Sequence, residues 1–244
     1  VFRFRYAIYV KEMARYGASA DHARGMLVEA EDETARIFCA VEEGEVVATS
    51  RFSWGGDAPV THRLVEHYML EPFIAELPAD VMAVGERGMV KPELRGTPIF
   101  TELGYETMRF IQERRIQLIF GACEPHLLRR YVGQGSRTFS HRNINSAEAG
   151  YLIPIVNVVE DVDYLRRIGS PRASTVKDWG EDARIPECVK PLIENGGNVM
   201  SQRLVDSGVN LDQVQESLDE LAENKYSLLD GLDAEQALRA VGRC

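Results

Sequence analysis

One stretch limits the possible folds more than any other. "VMAVGERGMV" (81–90) is a strand-like apolar run, and "KPELRGTPIF" (91–100) is a loop carrying two prolines and a glycine. A helical pattern follows over Ile99 to Arg115, with Ile99, Leu103, Thr107 and Phe110 on one stripe and charged residues opposite. "IQLIFGAC" (116–123) then reads as a short buried strand. Strand, loop, helix and strand in this order make a parallel crossover, right-handed by the general rule, which has to lie on a sheet. The chain is therefore expected to be α/β.

The flanking segments fit that expectation. "RIFCAVEEGEVVATSRFSW" (36–54) reads as a β-hairpin turning at Glu42 to Glu45, with Gly44 able to take a positive φ. "THRLVEHYMLEPFIAELP" (61–78) is helical, with Leu64, Tyr68 and the run from Leu70 to Phe73 covering one face. Downstream, "EPHLLRRYVGQG" reads as a short helix ending at glycine, and "SRTFSHR" and "GYLIPIVNVV" as two more strands. Past residue 170 the Pro/Gly/Ser-rich "GSPRASTVKDWGEDARIPE" marks a boundary. Beyond it Asn210 is placed to cap a helix whose Leu211, Val214, Leu218 and Leu221 share a face. The organisation expected is a 1–170 domain followed by a small helical 171–244 region.

Bulk properties exclude several functions. A formal net charge of -10 argues against nucleic-acid binding, which needs an excess of Lys and Arg. Arginines still cluster in "QERRIQ", "HLLRRY" and "DYLRRIG", and a local patch can meet an anionic partner despite the overall sign. Charged residues interrupt every apolar run, so no membrane-spanning helix is expected. Four cysteines, Cys39, Cys123, Cys188 and Cys244, are dispersed without a CxxC pair, which points to a reducing cytoplasm rather than a disulfide framework or zinc site. The five histidines lack ligand spacing, so no metal is expected. With no initiator Met and no secretory pattern, the sequence is expected to start inside a longer chain.

Four groups of residues carry candidate chemistry. Glu86 and Arg87 interrupt the apolar strand, and strand neighbours point to opposite faces, so one of them is expected to face a cavity. A carboxylate in apolar surroundings has a raised pKa, which suits Glu86 to general-base work; the alternative is a structural pairing with Arg51 or Arg5. Arg5 and Arg51 are candidate carboxylate clamps, because a buried arginine needs a carboxylate or a substrate anion. Tyr9, with Ile8 and Met13, faces the core of a short N-terminal helix. The acidic "EAEDETARIF" (29–38), with Glu29, Glu31, Asp32 and Glu33, reads best as a solvated turn, one member of which could meet an acceptor's amine. Cys123, in an apolar strand, reads as a packed thiol and not as a nucleophile.

"ERGMVKPELRGTPIFTELGYETMRF" resembles the centre of the GNAT acyltransferase fold, which implies a mixed central sheet flanked by helices. In that family the strand before the loop holds the donor's pantetheine arm, and the loop's amides hold the pyrophosphate of coenzyme A at the helix start. Val90, Pro92, Arg95, Gly96, Ile99 and Leu103 fit the outline. Pro98 and Phe100 replace small residues and depart from it. That departure suits a donor on acyl carrier protein, whose phosphopantetheine has one phosphate and no adenosine pyrophosphate.

"RYAIYVKEMARYG", "GEVVATSRF" and "AVGERGMV" are similar in order and spacing to the acyl-homoserine-lactone autoinducer synthases. "LIFGACEPHLLRRYVGQGSRTF" followed by "GYLIPIVNVVEDVDYLRRIGSP" resembles the long-chain N-acyl amino acid synthases. The resemblance covers about residues 1–171. It implies an N-acyltransferase moving a long fatty acyl chain from acyl carrier protein, or coenzyme A, to the α-amine of an amino acid, with no bound cofactor. Glu86 would be the base, Arg5, Tyr9 and Arg51 would serve the acceptor, and Met89 and Val90 would meet the pantetheine. Arg95, Gly96 and Thr97 would take its phosphate, and apolar residues of the widened sheet and the 64–77 helix would house the tail.

The lipid product implies possible peripheral contact with a membrane. The autoinducer synthases carry a tryptophan after their first helix where this chain has Tyr16 nearby, which puts S-adenosylmethionine in question as the acceptor. An autoinducer synthase and a non-catalytic lipid or nucleotide sensor are the alternatives. "YSLLDGLDAEQALRAVGRC" (226–244) resembles the opening helix of a cyclic-nucleotide-binding domain, with an ordinary C-terminal helix as the alternative.

Overall fold

A computed structural model describes residues 1–140, 143–146, 148–176 and 190–194. The Asn210 cap, the cyclic-nucleotide-domain resemblance at 226–244, Cys188, Cys244 and His141 lie outside the described residues. The chain divides into two compact units, one of Val1–Thr61 with Ala79–Ile116, the other of His62–Pro78 with the chain from Gln117 onward.

In the first unit, helix α1 (Phe2–Tyr6) runs directly into a π-helical segment, Ala7–Glu12. Hairpin strands β1 (Arg36–Glu42) and β2 (Glu45–Trp54) fall where the pattern places them. Their turn needs positive φ at two successive residues, and Glu43 (φ 50°) and Gly44 (φ 82°) supply it. Strand β3 (Met82–Val90) pairs antiparallel with β2, and helix α4 (Ile99–Glu113) follows the loop. Leu103, Thr107 and Ile111 of α4 are buried, while Phe110 meets Phe38 of β1 and Trp54 of β2 at ring-centroid distances of 5.6 and 5.8 Å. That aromatic cluster is the apolar side of this unit.

In the second unit, the single helix expected over 64–77 is two, α2 (His62–Tyr68) and α3 (Glu71–Glu76). Met69, at φ 54°, breaks the helical path between them. Leu64, Tyr68, Leu70 and Phe73 are all buried, as their spacing requires. Strand β4 (Leu118–Cys123), helix α5 (Leu128–Gly133) and strand β5 (Ser136–Thr138) follow. Strand β6 (Ile144–Ser146), which the sequence pattern does not mark, pairs with β7 (Gly150–Val158), as do β4 and β5. Phe73, Phe120 and Phe139 stack edge-on at 4.7 to 5.6 Å as the centre of this core. Helix α6 (Val162–Arg167) is capped by Asp161, whose side chain accepts from the Tyr164 N–H at 3.0 Å. A last described helix, α7, spans Lys190–Glu194. Seven strands flanked by helices give the α/β, GNAT-like class.

Candidate functional site

All nine candidate residues, Arg5, Tyr9, Arg51, Glu86, Met89, Val90, Arg95, Gly96 and Thr97, lie in the first unit. They form two clusters, one buried and charged, the other on the loop after β3.

The buried cluster begins with a break in a strand. Arg51 of β2 stands opposite Glu86 of β3, and Thr49 stands opposite Met89, so Ser50 alone faces both Arg87 and Gly88. Two residues against one is a β-bulge. Arg87 takes the left-handed conformation there, at φ 55°, which costs a non-glycine residue about 1–3 kcal/mol. The bulge cancels the strand alternation: Glu86 and Arg87 do not separate to opposite faces but join one network. That corrects the expected opposite orientation, and the reason is the local backbone rather than the side chains.

The surroundings of Glu86 are charged, not apolar. Arg51 Nη2 donates to Glu86 Oε2 at 2.6 Å; the Arg51 side chain is fully buried and that of Glu86 nearly so. Arg51 Nη1 also lies 3.0 Å from Asp32 Oδ1 and 3.0 Å from Glu29 Oε2. Arg5 Nη1 donates to Asp32 Oδ2 at 2.7 Å. Arg87 grips Glu29 with Nε (2.6 Å) and Nη2, and donates from Nη1 to the Tyr16 hydroxyl at 2.9 Å. Its guanidinium lies over the rings of Tyr9 and Tyr16, at 5.3 and 4.5 Å from their centroids.

Three arginines thus meet three carboxylates in one connected set. Arg5 and Arg51 have their partners in the protein's own carboxylates, the first of the two options the sequence left open. Arg5 Nε and Nη2 and Arg51 Nε are buried without a hydrogen-bond partner among the described residues.

The local sequence explains why the two acidic members sit there. Glu29 and Asp32 cap a short 3₁₀ turn, Ala30–Glu33, reciprocally: each side chain accepts from the other's backbone N–H, Asp32 Oδ2 from Glu29 at 2.8 Å. The stretch expected to be a solvated turn is accordingly half interior, with Glu31 and Asp32 almost fully covered. The spacing Glu29-x-x-Asp32 is a capping signal that composition alone hides, and three arginines in apolar contexts were the sign that acids had to be near.

The charges follow from these contacts. Burial opposes ionisation of Asp32, but the bonds from Arg5 and from the Glu29 N–H outweigh it and hold the carboxyl below its ordinary value. Burial works likewise against the charge of Arg87, and Glu29 overcomes it, so that guanidinium is held well above its usual value. Burial raises the hydroxyls of Tyr9 and Tyr16, with Arg87 opposing, so both stay neutral phenols at pH 7. Burial also pushes the Cys123 thiol up, leaving it a packed, unreactive group, whereas Cys39 is exposed.

The second cluster is the loop. Lys91 N–H donates to Val47 O, Leu94 N–H to Lys91 O, Arg95 N–H to Pro92 O and Thr97 N–H to Leu94 O, at 2.8 to 3.2 Å. Pro92 and Pro98 have no N–H. Three of the loop's amides, those of Leu94, Arg95 and Thr97, therefore bond within the loop itself, and a fourth, that of Lys91, bonds to β2. Gly96 turns the chain at φ 83°, and Thr97 Oγ1 closes the turn on Leu94 O at 2.7 Å. Arg95 is half-exposed and bonded at both ends: Nε to Val90 O at 3.3 Å, Nη1 and Nη2 to the two carboxylate oxygens of Glu12 at 2.6 and 2.9 Å. Nothing in the sequence signals Glu12. The Phe100 ring lies against Gly88, where an added Cβ would sit 3.2 Å from Phe100 Cζ, a tight contact that the ring would have to yield to.

No protein-family model and no curated protein matches this sequence. Solved structures do resemble it. A CoA-dependent acyl-homoserine lactone synthase, BjaI, described with SAM and isopentyl-CoA, is 19% identical with a TM-score of 0.52, covering 70% of this chain and 81% of its own. Another, MesI, is 21% identical with a TM-score of 0.52, covering 72% and 87%. FeeM, an N-acyl amino acid synthase from uncultured soil microbes, is 14% identical over 65% and 91%, with a TM-score of 0.47 too low to argue from. The fold is thus the GNAT-like fold of the acyl-homoserine lactone synthases. At these identities the likeness speaks to fold alone.

Among the described residues no helix is long and apolar enough to cross a membrane.

Proposed function

We propose that the protein is an N-acyltransferase that moves a long fatty acyl chain to the α-amine of an amino acid, in the cytoplasm. The observation that carries this reading is the bulge in β3, which brings Glu86 and Arg87 into one charged network on the strand that leads to the Arg95 loop. In the reaction the acceptor's amine attacks the thioester carbonyl, a C–N bond forms, the C–S bond breaks, and the thiol leaves with a proton. Glu86, directly or through a water, takes the proton from the attacking nitrogen. N–H groups near Met89 and Val90 face the oxyanion as it forms. Arg51 orients Glu86, and Arg5, Tyr9 and Arg51 serve the acceptor chiefly by placing carboxylates where an ammonium can approach.

The donor's phosphate is taken by Arg95, Gly96 and Thr97. Three loop amides bonded within the loop and two prolines without an N–H reduce what the loop offers a pyrophosphate, which favours a phosphopantetheine on acyl carrier protein over coenzyme A.

The test is mass spectrometry of organic extracts from cells expressing the protein or its Glu86→Gln version. A series of N-acyl amino acids differing by two-carbon units, lost in the variant, supports the reading and names the acceptor. An unchanged lipid profile from folded protein with donor supplied rejects it in favour of a sensor. A second reading, an autoinducer synthase, draws on the fold likeness to BjaI and MesI, and consumption of S-adenosylmethionine would separate it.

A further inference from the structure

Arg95 is one of the two basic side chains of the loop after β3, with Lys91, and a carboxylate already occupies it. Both terminal nitrogens of its guanidinium lie on the two oxygens of Glu12, at 2.6 and 2.9 Å. This parallel two-pronged geometry is also the one in which a guanidinium binds a phosphate. The Nε–H lies 3.3 Å from the Val90 carbonyl, and the two-pronged end of the fork, formed by Nη1 and Nη2, is the part that Glu12 holds, so a phosphate that binds there in the same geometry competes with Glu12. Both partners are accessible, with side-chain exposures of 48% and 35%, so the carboxylate can be displaced without unfolding anything.

Glu12 is moreover the last residue of the π-helical segment Ala7–Glu12, whose Tyr9 lies under Arg87 of the charged cluster. Single π-helical turns are uncommon and concentrate at functional positions. One short segment therefore touches both clusters.

We propose that Glu12 is a built-in competitor for the donor's phosphate: it holds Arg95 when no donor is present and is displaced when the phosphate of phosphopantetheine arrives. This rests on the acyl-transfer reading above and adds to it a residue that sets donor affinity. The ion pair is exposed, so its effect is modest. An accessible pair of this kind is worth about a fivefold change in an equilibrium at most.

The experiment is calorimetric titration of the full chain, as wild type, Glu12→Gln and Arg95→Ala, with 4′-phosphopantetheine and with pantetheine, which lacks the phosphate. Circular dichroism confirms that each variant is folded. The expected result is binding of 4′-phosphopantetheine tightened about fivefold by Glu12→Gln, no effect of that substitution on pantetheine, and no preference for the phosphorylated ligand in Arg95→Ala. Coenzyme A titrated in parallel tells which phosphate source the pair guards, since the larger gain marks the monoester or the diphosphate.

Binding of 4′-phosphopantetheine that is indifferent to residue 12, or a gain shared equally by pantetheine, overturns the proposal while leaving acyl transfer standing. Absence of binding by both wild type and Glu12→Gln, together with no lipid product in cells, overturns the two together.

Discussion

Arg51 and Glu86 face each other across the β2–β3 ladder at 2.6 Å, Arg51 fully buried and the Glu86 side chain 4% exposed. Neither side chain can be understood alone. A buried ion left without its partner costs about 3–5 kcal/mol, whereas replacing both members by apolar residues of similar size is often neutral.

Arg51→Leu should therefore lower the free energy of unfolding by about 3 kcal/mol or more, because it removes the buried guanidinium that Glu86, Asp32 and Glu29 share. The double change Arg51→Leu with Glu86→Leu should recover a substantial part of that loss, although Asp32 and Glu29 still lose a neighbour. Urea titration of the two variants decides the matter. A double variant no more stable than the single would show that Arg51 is held by the acids of the 3₁₀ turn and not by Glu86.

Arg87 combines backbone strain with a tight carboxylate grip. Substitution by alanine removes the grip and keeps the strain; substitution by glycine removes both. Glycine should be the more stable variant by about 1 kcal/mol, an inversion of the usual order for a strand residue. Midpoints of chemical denaturation measure it, and an alanine variant equal to or better than glycine would mean that the bulge relaxes once Glu29 is released.

Asp32 makes stability depend on acid. Its folded-state pKa is depressed, so its contribution is present above the ordinary carboxylate pKa of about 3.9 and is lost as pH falls through the folded value. Thermal midpoints of the wild type should drop steeply below about pH 4. Asp32→Asn should be less stable at neutral pH and should show a shallower drop over the same range; parallel curves would place the acid sensitivity elsewhere.

Periodicity marked most of the elements because each covers a core. The α4 stripe of Leu103 and Thr107 and the hairpin with Gly44 sit where a 3.6- or 2-residue repeat places them. The site was harder to read, for three physical reasons. A bulge is a backbone event at Arg87 and Gly88 that leaves no mark on hydrophobic alternation, so Glu86 and Arg87 looked like residues of opposite faces. The burial of Glu29 and Asp32 depends on arginines 19 to 58 positions away, and local composition cannot report so distant a partner. The three-residue strand β6 is too short to establish a period, and the Met69 break that splits the 64–77 helix is a single-residue backbone event.

The closing turn of α4 offers a test of the donor. Arg114 and Arg115 are exposed and adjacent, and Arg114 lies over the Trp54 ring at 5.5 Å, which fixes its position on the surface. An acidic carrier protein approaching the Arg95 loop would be steered by such charges, and steering acts mainly on association rate. The double reversal Arg114→Glu with Arg115→Glu should raise KM for a carrier-bound acyl donor by about tenfold at low salt and much less at 0.5 M salt, since screening weakens exposed pairs. KM for a free acyl-pantetheine donor should stay unchanged in the same variant, because that donor has no acidic surface to attract. Steady-state kinetics with the two donors at two ionic strengths provide the measurement. An equal rise for both would indicate damage to the loop rather than loss of a docking surface, and no rise for either would remove these arginines from the path of the carrier.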